Sequence, residues 1–131
     1  MLTFSDYLRE QASEVTVERP ATRNPSFDDE MEFRLGDAGV LRVAKNKASY
    51  TDWSVTEIFV DEASRRQGLA ARLIDKMKET LTGTIGAQAS NDGSVQLFWD
   101  KGFRSDGTLQ DALNARQEYS SVNLIYDPSK T

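Results

Sequence analysis

Hydrophobic positions change their spacing several times along this chain, and each change marks an element. From Leu69 the apolar residues recur every fourth position, at Leu69, Leu73, Met77 and Leu81, with Ala70 and Ile74 beside them. Arg72, Asp75, Lys76 and Glu79 fall outside this stripe, which is the pattern of an amphipathic helix facing a core. Just upstream, SVTEIFVD is β-branched and aromatic and half apolar on both faces, which predicts a central strand covered on both sides. MEFRL and VLRVAKN, joined by GDAG, predict a β-hairpin with glycine in its turn. Further on, TIGAQAS predicts a short strand, NDGSVQLFWDKG a helix closed by Gly102, and SSVNLIYD a last strand. DALNARQEY, between the last two, predicts a helical turn, and ASYTDW a connection. At the start, TFSDYLREQA puts Phe4, Tyr7, Leu8 and Ala12 near one helical face, with Ser5 or Thr3 as cap. RPATRNPSFDDE, which carries two prolines, reads as a loop. The resulting order is helix, hairpin, strand, helix, strand, helix, strand. It predicts an α/β fold: one mixed layer of sheet with helices on both faces.

Composition narrows the class. The chain has 131 residues, 38% hydrophobic and 28% charged, which fits a single globular domain over 1–131. No internal repeat breaks it. Nothing approaches the apolar run of about 18 residues that a membrane span needs. Asp6, Arg9 and Glu10 interrupt the stretch where a signal peptide would be apolar, so a cytoplasmic location is expected. The net charge of −5, from 16 basic and 21 acidic residues, argues against generic nucleic-acid binding. It suits cationic partners, and is equally ordinary for a soluble protein.

Two absences limit the chemistry. With no cysteine there is no thiolate nucleophile and no Cys metal site. With no histidine there is no imidazole base and no Ser-His-Asp triad. Catalysis would rest on carboxylates, tyrosines, lysines, backbone amides or a cofactor, and no metal is expected.

One stretch breaks the usual rules of helix starts. RRQGLAARLID, Arg65 to Asp75, opens a helix with two arginines and a glycine instead of acidic or capping residues. The helix dipole already places partial positive charge there. The arrangement makes sense if a ligand supplies the negative charge. Free amides of the first turn form an anion site, glycine admits close backbone approach, and nearby arginines add to the attraction. The chemistry points to a pyrophosphate. Neither GxxxxGK[ST] nor GxGxxG is present, so the common nucleotide-binding loops are excluded. A tight strand-to-helix turn would also use this glycine for packing alone.

In context, IFVDEASRRQGLAARLI resembles the acyl-CoA-binding motif of the GNAT superfamily of N-acyltransferases, [QR]-x-x-G-x-[GA] after a strand ending in an apolar residue. Arg65, Gly68 and Ala70 occupy the defined positions and Val60 ends the strand. A second block, ASNDGSVQLFWDKGFR, is similar to the family's next strand and helix, with Asn91, Gly102 and Phe103 at matching spacing. The resemblance covers about residues 32–127, while the first 30 match poorly and the usual first strand is not evident. It implies a GNAT fold with a mixed, mostly antiparallel sheet. It also implies acetyl-CoA as co-substrate and an amine acceptor: a protein lysine or N-terminus, or a small amine. The protein would be a monomer or homodimer.

Residue by residue, the resemblance implies that backbone amides of Arg65, Arg66, Gln67, Gly68, Leu69, Ala70 and Ala71 hold the pyrophosphate. The main chain of Ile58, Phe59 and Val60 would pair with the pantetheine arm at a splay between this strand and TIGAQAS. Asn91 would contact the cofactor or only cap its helix. The family often places a general-acid tyrosine four residues before the Gly-Phe pair, and here that position is Phe98, which keeps the ring that would pack beside the cofactor but has no proton to give. Tyr119 or Tyr126 could serve instead, a water could, or the thiolate could leave unassisted. The base expected is Glu57. Strand alternation puts it on the face of Val55 and Phe59, partly buried, where its pKa would rise toward useful values. Pairing with a basic residue on a neighbouring strand is the alternative. Where many members carry a carboxylate on the following strand, this chain has Gly86 and Gln88. Trp53 and Trp99 read as core or rim packing. Phe98 and the divergent first 30 residues leave open a second reading, a catalytically degenerate GNAT fold acting as a protein-binding or inhibitory module.

Overall fold

A computed structural model describes residues 14–21, 24–61 and 68–130. The helix expected over 3–12 lies outside the described residues, as do Arg65, Arg66 and Gln67. Six strands form one sheet in chain order: β1 (Thr16–Glu18), β2 (Asp29–Leu35), β3 (Gly39–Lys45), β4 (Trp53–Val60), β5 (Ile85–Ala89) and β6 (Val122–Tyr126). All neighbouring pairs are antiparallel except β4 and β5, which are parallel. A parallel pair needs a crossover. Helix α1 (Leu69–Thr80) supplies it, and α2 (Asp92–Asp100) and α3 (Leu109–Tyr119) join β5 to β6.

Register shows which residues share a face. Phe33, Leu41 and Ile58 lie opposite one another across β2, β3 and β4, and Ile85 faces Trp53 on one side and Tyr126 on the other. These side chains join Leu73, Ile74 and Met77 of α1, Val95 and Phe98 of α2 and Ala112 of α3 in one continuous core. The three described helices therefore share one face of the sheet. The side chains that alternate with this core on β4, Thr56, Glu57 and Phe59, are exposed.

Three elements differ from the sequence expectation. Strand β1 was not anticipated: it has three residues, all exposed, and so carries no alternating pattern. β2 begins two residues inside the expected loop, at Asp29, whose carboxylate pairs with Arg19. The expected helical turn is a full helix, α3, because Thr108 and Asp111 form a reciprocal capping box.

The end of α2 gives a physical reason for the Gly-Phe pair. Phe103 N–H donates to the Phe98 carbonyl and Gly102 N–H to the Trp99 carbonyl, with Gly102 at φ 92°. This is a Schellman closure, whose usual apolar contact is made by the rings of Phe98 and Phe103, 5.1 Å apart and edge to face.

Candidate functional site

Strands β4 and β5 are clasped at one end and free at the other. Asp52 Oδ2 accepts from Thr84 N–H at 2.8 Å and from the Thr84 hydroxyl at 3.2 Å. In return, Asp52 N–H donates to that hydroxyl at 2.9 Å, and Trp53 N–H donates to the Thr84 carbonyl at 2.9 Å. The Thr84 backbone and side-chain bonds hold the Asp52 carboxyl below the ordinary carboxylate range. Gly83, at φ 89°, admits this carboxylate, because a Cβ there would collide with it. Beyond the clasp the ladder holds only for Trp53–Ile85 and Ser54–Gly86 and then ends. Residues 55–60 of β4 therefore run on with a β3 neighbour but no β5 ladder. The expected splay between SVTEIFVD and TIGAQAS has this physical form.

A bulge sits in the same stretch. Arg42 pairs with Glu57 while the next residue, Val43, pairs with Val55, so Thr56 is extra. Such an insertion bends the strand and leaves one residue outside the regular ladder. It also changes which face each side chain takes. Val55, Ile58 and Val60 pack against the core, while Thr56, Glu57 and Phe59 are exposed.

This overturns the expected environment of Glu57. It does not share a face with Val55, and its side chain is 47% exposed instead of partly buried. Its carboxylate accepts from Arg42 Nη1 at 2.9 Å. The burial that simple alternation implied is absent because the extra residue resets the alternation. Register explains the pairing. Glu18, Glu32, Arg42 and Glu57 form one transverse row across β1 to β4. In it Arg42 also binds Glu32, which is 6% exposed and pairs with Arg34 as well.

At the far end of β4 the chain turns into α1. Gly68 stands at the N-cap with φ 71° and ψ 20°, with no side-chain cap and no acidic residue in the first turn. A Cβ at Gly68 would meet nothing within 4 Å among the described residues. Leu69 is buried at 9%, and Ala70 and Ala71 are half-buried. By contrast, Asn91 caps α2, its side chain accepting from Ser94 N–H at 2.8 Å. Thr108 caps α3, and the bonds it donates to Asp111 hold that carboxyl below the ordinary range. The two capped helices make the bare start of α1 the exception among the described ones.

The remaining residues singled out in the sequence are dispersed. Phe98 is 2% exposed and belongs to the core. Tyr126 pairs with Ile85 at the clasped end of β5, its ring 5.6 Å from Phe103 and under the Lys78 ammonium at 4.6 Å. Tyr119 closes α3 and is 70% exposed. Trp53 is in the core with Lys45 over its ring, and Trp99 stacks under Arg104 at 4.5 Å. The structure thus does not gather Glu57, Tyr119 and Tyr126 into one cluster. Sequence reasoning missed a cavity of about 400 Å³ where the strands part, lined among others by Ser54, Gly86, Gln88 and Asn123. Its one legible signal was the pair of small residues, Ser54 and Gly86. Among the described residues no group of His, Cys, Asp or Glu could hold a metal ion. None of their helices is long and apolar enough to cross a membrane.

A mixed sheet with one parallel crossover, a splayed strand and a bare helix start defines an α/β protein. A family profile described as "Acetyltransferase (GNAT) domain" matches residues 3–114, and the chain belongs to this family. The match starts inside the segment set apart above as divergent and ends within α3. Neither the curated proteins nor the solved structures contain a significant match.

Proposed function

We propose that the protein binds acetyl-CoA in the splay and transfers its acetyl group to an amine. The observation that carries this is the junction of β4 and α1: a strand freed from its parallel neighbour leads to a helix whose first turn has no cap. The amides of Gly68, Leu69, Ala70 and Ala71, with those of Arg65, Arg66 and Gln67, would hold the pyrophosphate. The lack of any acidic first-turn side chain fits that group. The main chain of Ile58, Phe59 and Val60 offers an extended edge for the amide-containing pantetheine arm, in the manner of an added strand.

In the reaction a neutral amine nitrogen attacks the thioester carbonyl. The N–C bond forms, the C–S bond breaks, sulfur leaves with the bonding pair, and the nitrogen's proton passes to a base or solvent while the thiolate is protonated. The protein's part is to position the partners and to present donors to the developing oxyanion. The bulge at Thr56 and Glu57 puts main chain outside the regular ladder where the arm would end. Glu57 is the base in this reading, with Arg42 fixing its carboxylate. Tyr119 is the better placed tyrosine for the acid, because it precedes Val122, which pairs with Ala89 at the splayed end. Asn91 serves its helix as cap and Phe98 the core, and both support the cofactor side only indirectly.

A second reading has its own observation. Phe98 is buried without a hydroxyl and Glu57 is ion-paired, which suits a fold that binds CoA, or a protein, without turnover. Calorimetric titration with acetyl-CoA, followed by thiol release with mixed amines, separates the two. Binding with release supports the enzyme, binding without release supports the degenerate module, and no binding at millimolar cofactor removes the acetyl-CoA reading.

A further inference from the structure

The cavity beside the splay has a composition that specifies an acceptor. Its floor is low because the row Ser54, Gly86, Ile125 crosses the sheet with a small side chain on β4 and none on β5. Glycine is required at that point: a Cβ on Gly86 would stand 2.9 Å from Thr51 Oγ1, which is itself buried and donates to the Trp53 carbonyl at 2.8 Å. The hollow of about 400 Å³ reaches between the parting strands to Val55 and Ala87. It therefore opens onto the stretch of β4 that the pantetheine arm would follow.

Its walls carry no charge and set hydroxyl and amide groups beside the apolar side chains of Val55, Ala87, Leu124 and Ile125. Ser49, Tyr50, Ser54, Gln88 and Asn123 line it, and no Asp, Glu, Lys or Arg does among the described residues. Ser49 and Ser54 hydroxyls meet at 3.1 Å, and Gln88 donates its amide to Ser121 at 3.0 Å, which leaves its carbonyl oxygen directed by that bond. The neutrality is local. The next cavity, sharing Tyr50 and Asn123, is lined by Arg104, Asp106, Asp127 and Lys130. Tyr50 stands at the rim of both and is 96% exposed, a free aromatic face beside hydroxyl and amide groups.

We propose that this cavity is the acceptor subsite and that it selects a small polyhydroxylated amine of the amino-sugar class. Hydroxyls and amides that both donate and accept match a molecule carrying several hydroxyl groups. An aromatic ring at the rim covers the apolar face of a sugar ring. A volume near 400 Å³ accommodates a molecule of that size and falls in the range of small-ligand sites. A polyamine would place a second cation where no carboxylate among the described lining residues answers it. The inference rests on the acetyl-transfer reading for its chemistry: the sugar's ammonium group gives one proton to solvent, its nitrogen attacks the thioester carbonyl, the C–S bond breaks, and a second nitrogen proton goes to the departing sulfur, leaving an N-acetyl sugar and CoA thiol.

The test uses the full chain. Rates of thiol release from acetyl-CoA are compared for glucosamine, spermidine and a lysine-containing peptide. Saturation-transfer NMR with glucosamine alone is run in parallel. The expected result is kcat/KM for glucosamine at least tenfold above the other two. Asn123→Leu and Tyr50→Ala should each raise its KM tenfold or more and remove its NMR signal, with acetyl-CoA affinity unchanged by calorimetry. Faster transfer to spermidine or peptide overturns the acceptor class while leaving acetyl transfer standing. NMR contact abolished by Asn123→Leu in a protein that does not bind acetyl-CoA keeps the sugar site and removes the transfer reading. Glucosamine contact and turnover that ignore both substitutions overturn the placement.

Discussion

At Gly68 the missing side chain does two things, and substitutions separate them. The residue holds φ 71°, where any Cβ is strained, and a Cβ there would meet nothing within 4 Å among the described residues. Gly68→Ala should cost about 1 kcal/mol of stability by denaturant titration, from the left-handed backbone alone. Gly68→Glu should in addition abolish acetyl-CoA binding, because it puts bulk and negative charge at the bare helix start. Unchanged affinity in a calorimeter would reduce the junction to a turn. Phe98 poses the opposite question. With 2% exposure and Phe103 against its ring, Phe98→Tyr brings a hydroxyl into the core. An unpaired buried hydroxyl costs about 1–3 kcal/mol, so the melting temperature should fall with no gain in thiol-release rate. A rate increase would show that the ring reaches the reacting atoms after all. For Glu57, the Gln variant should slow turnover at neutral pH while leaving acetyl-CoA affinity intact, and a normal rate would exclude it as base.

At the scale of elements, the Asp52–Thr84 clasp explains how two parallel strands can be joined at one end and apart at the other. A carboxylate that accepts a backbone and a side-chain donor favours its ionised form, so the folded protein holds Asp52 below the unfolded value. That contribution is fully present above the unfolded pKa of about 3.9 and is lost as pH falls through the lower folded value. Asp52→Ala should therefore lower the melting temperature at pH 7, and the gap to the parent protein should close on acidification below about pH 4. A gap that persists undiminished in acid would mean that the clasp acts by packing and not by charge. Element type was legible wherever periodicity was strong. The four-residue recurrence from Leu69 marked α1, and Asn91 and Gly102 marked the two ends of α2. Helix α3 was under-read because its signal is not periodicity but the capping pair Thr108 and Asp111. β1 was missed because an edge strand of three exposed residues has no buried face to write a pattern.

At the scale of the whole molecule, the splay predicts where a ligand acts. Acetyl-CoA lying along β4 should slow hydrogen exchange at alternate amides of residues 55–60, which lack a β5 ladder. It should change Trp53 and Ser54 little, since these already pair across the clasp. At ligand concentrations a hundredfold above Kd the fold should gain about 2.7 kcal/mol against unfolding, read as a rise in melting temperature. Protection confined to α2 and α3 would place the ligand elsewhere.

The sequence by itself determined most of the elements and the family, and it is the source of the proposal for the cofactor end of the candidate site. Each of these is written in local terms: a period of hydrophobicity, a glycine at a junction, a helix start without a cap. RRQGLAARLID was readable because helix dipoles and free amides act within a single turn. Only the tertiary structure decided the face of Glu57, the separation of Tyr119 from Tyr126 and the existence of the neutral cavity. A bulge of one residue reverses every later side chain on its strand, and which residue is extra depends on the pairing of Arg42 with Glu57 and of Val43 with Val55, a distant part of the chain. The cavity likewise arises where Ser54 and Gly86 meet across a ladder that then stops. No stretch of chain contains that meeting, so it had to be seen in the fold.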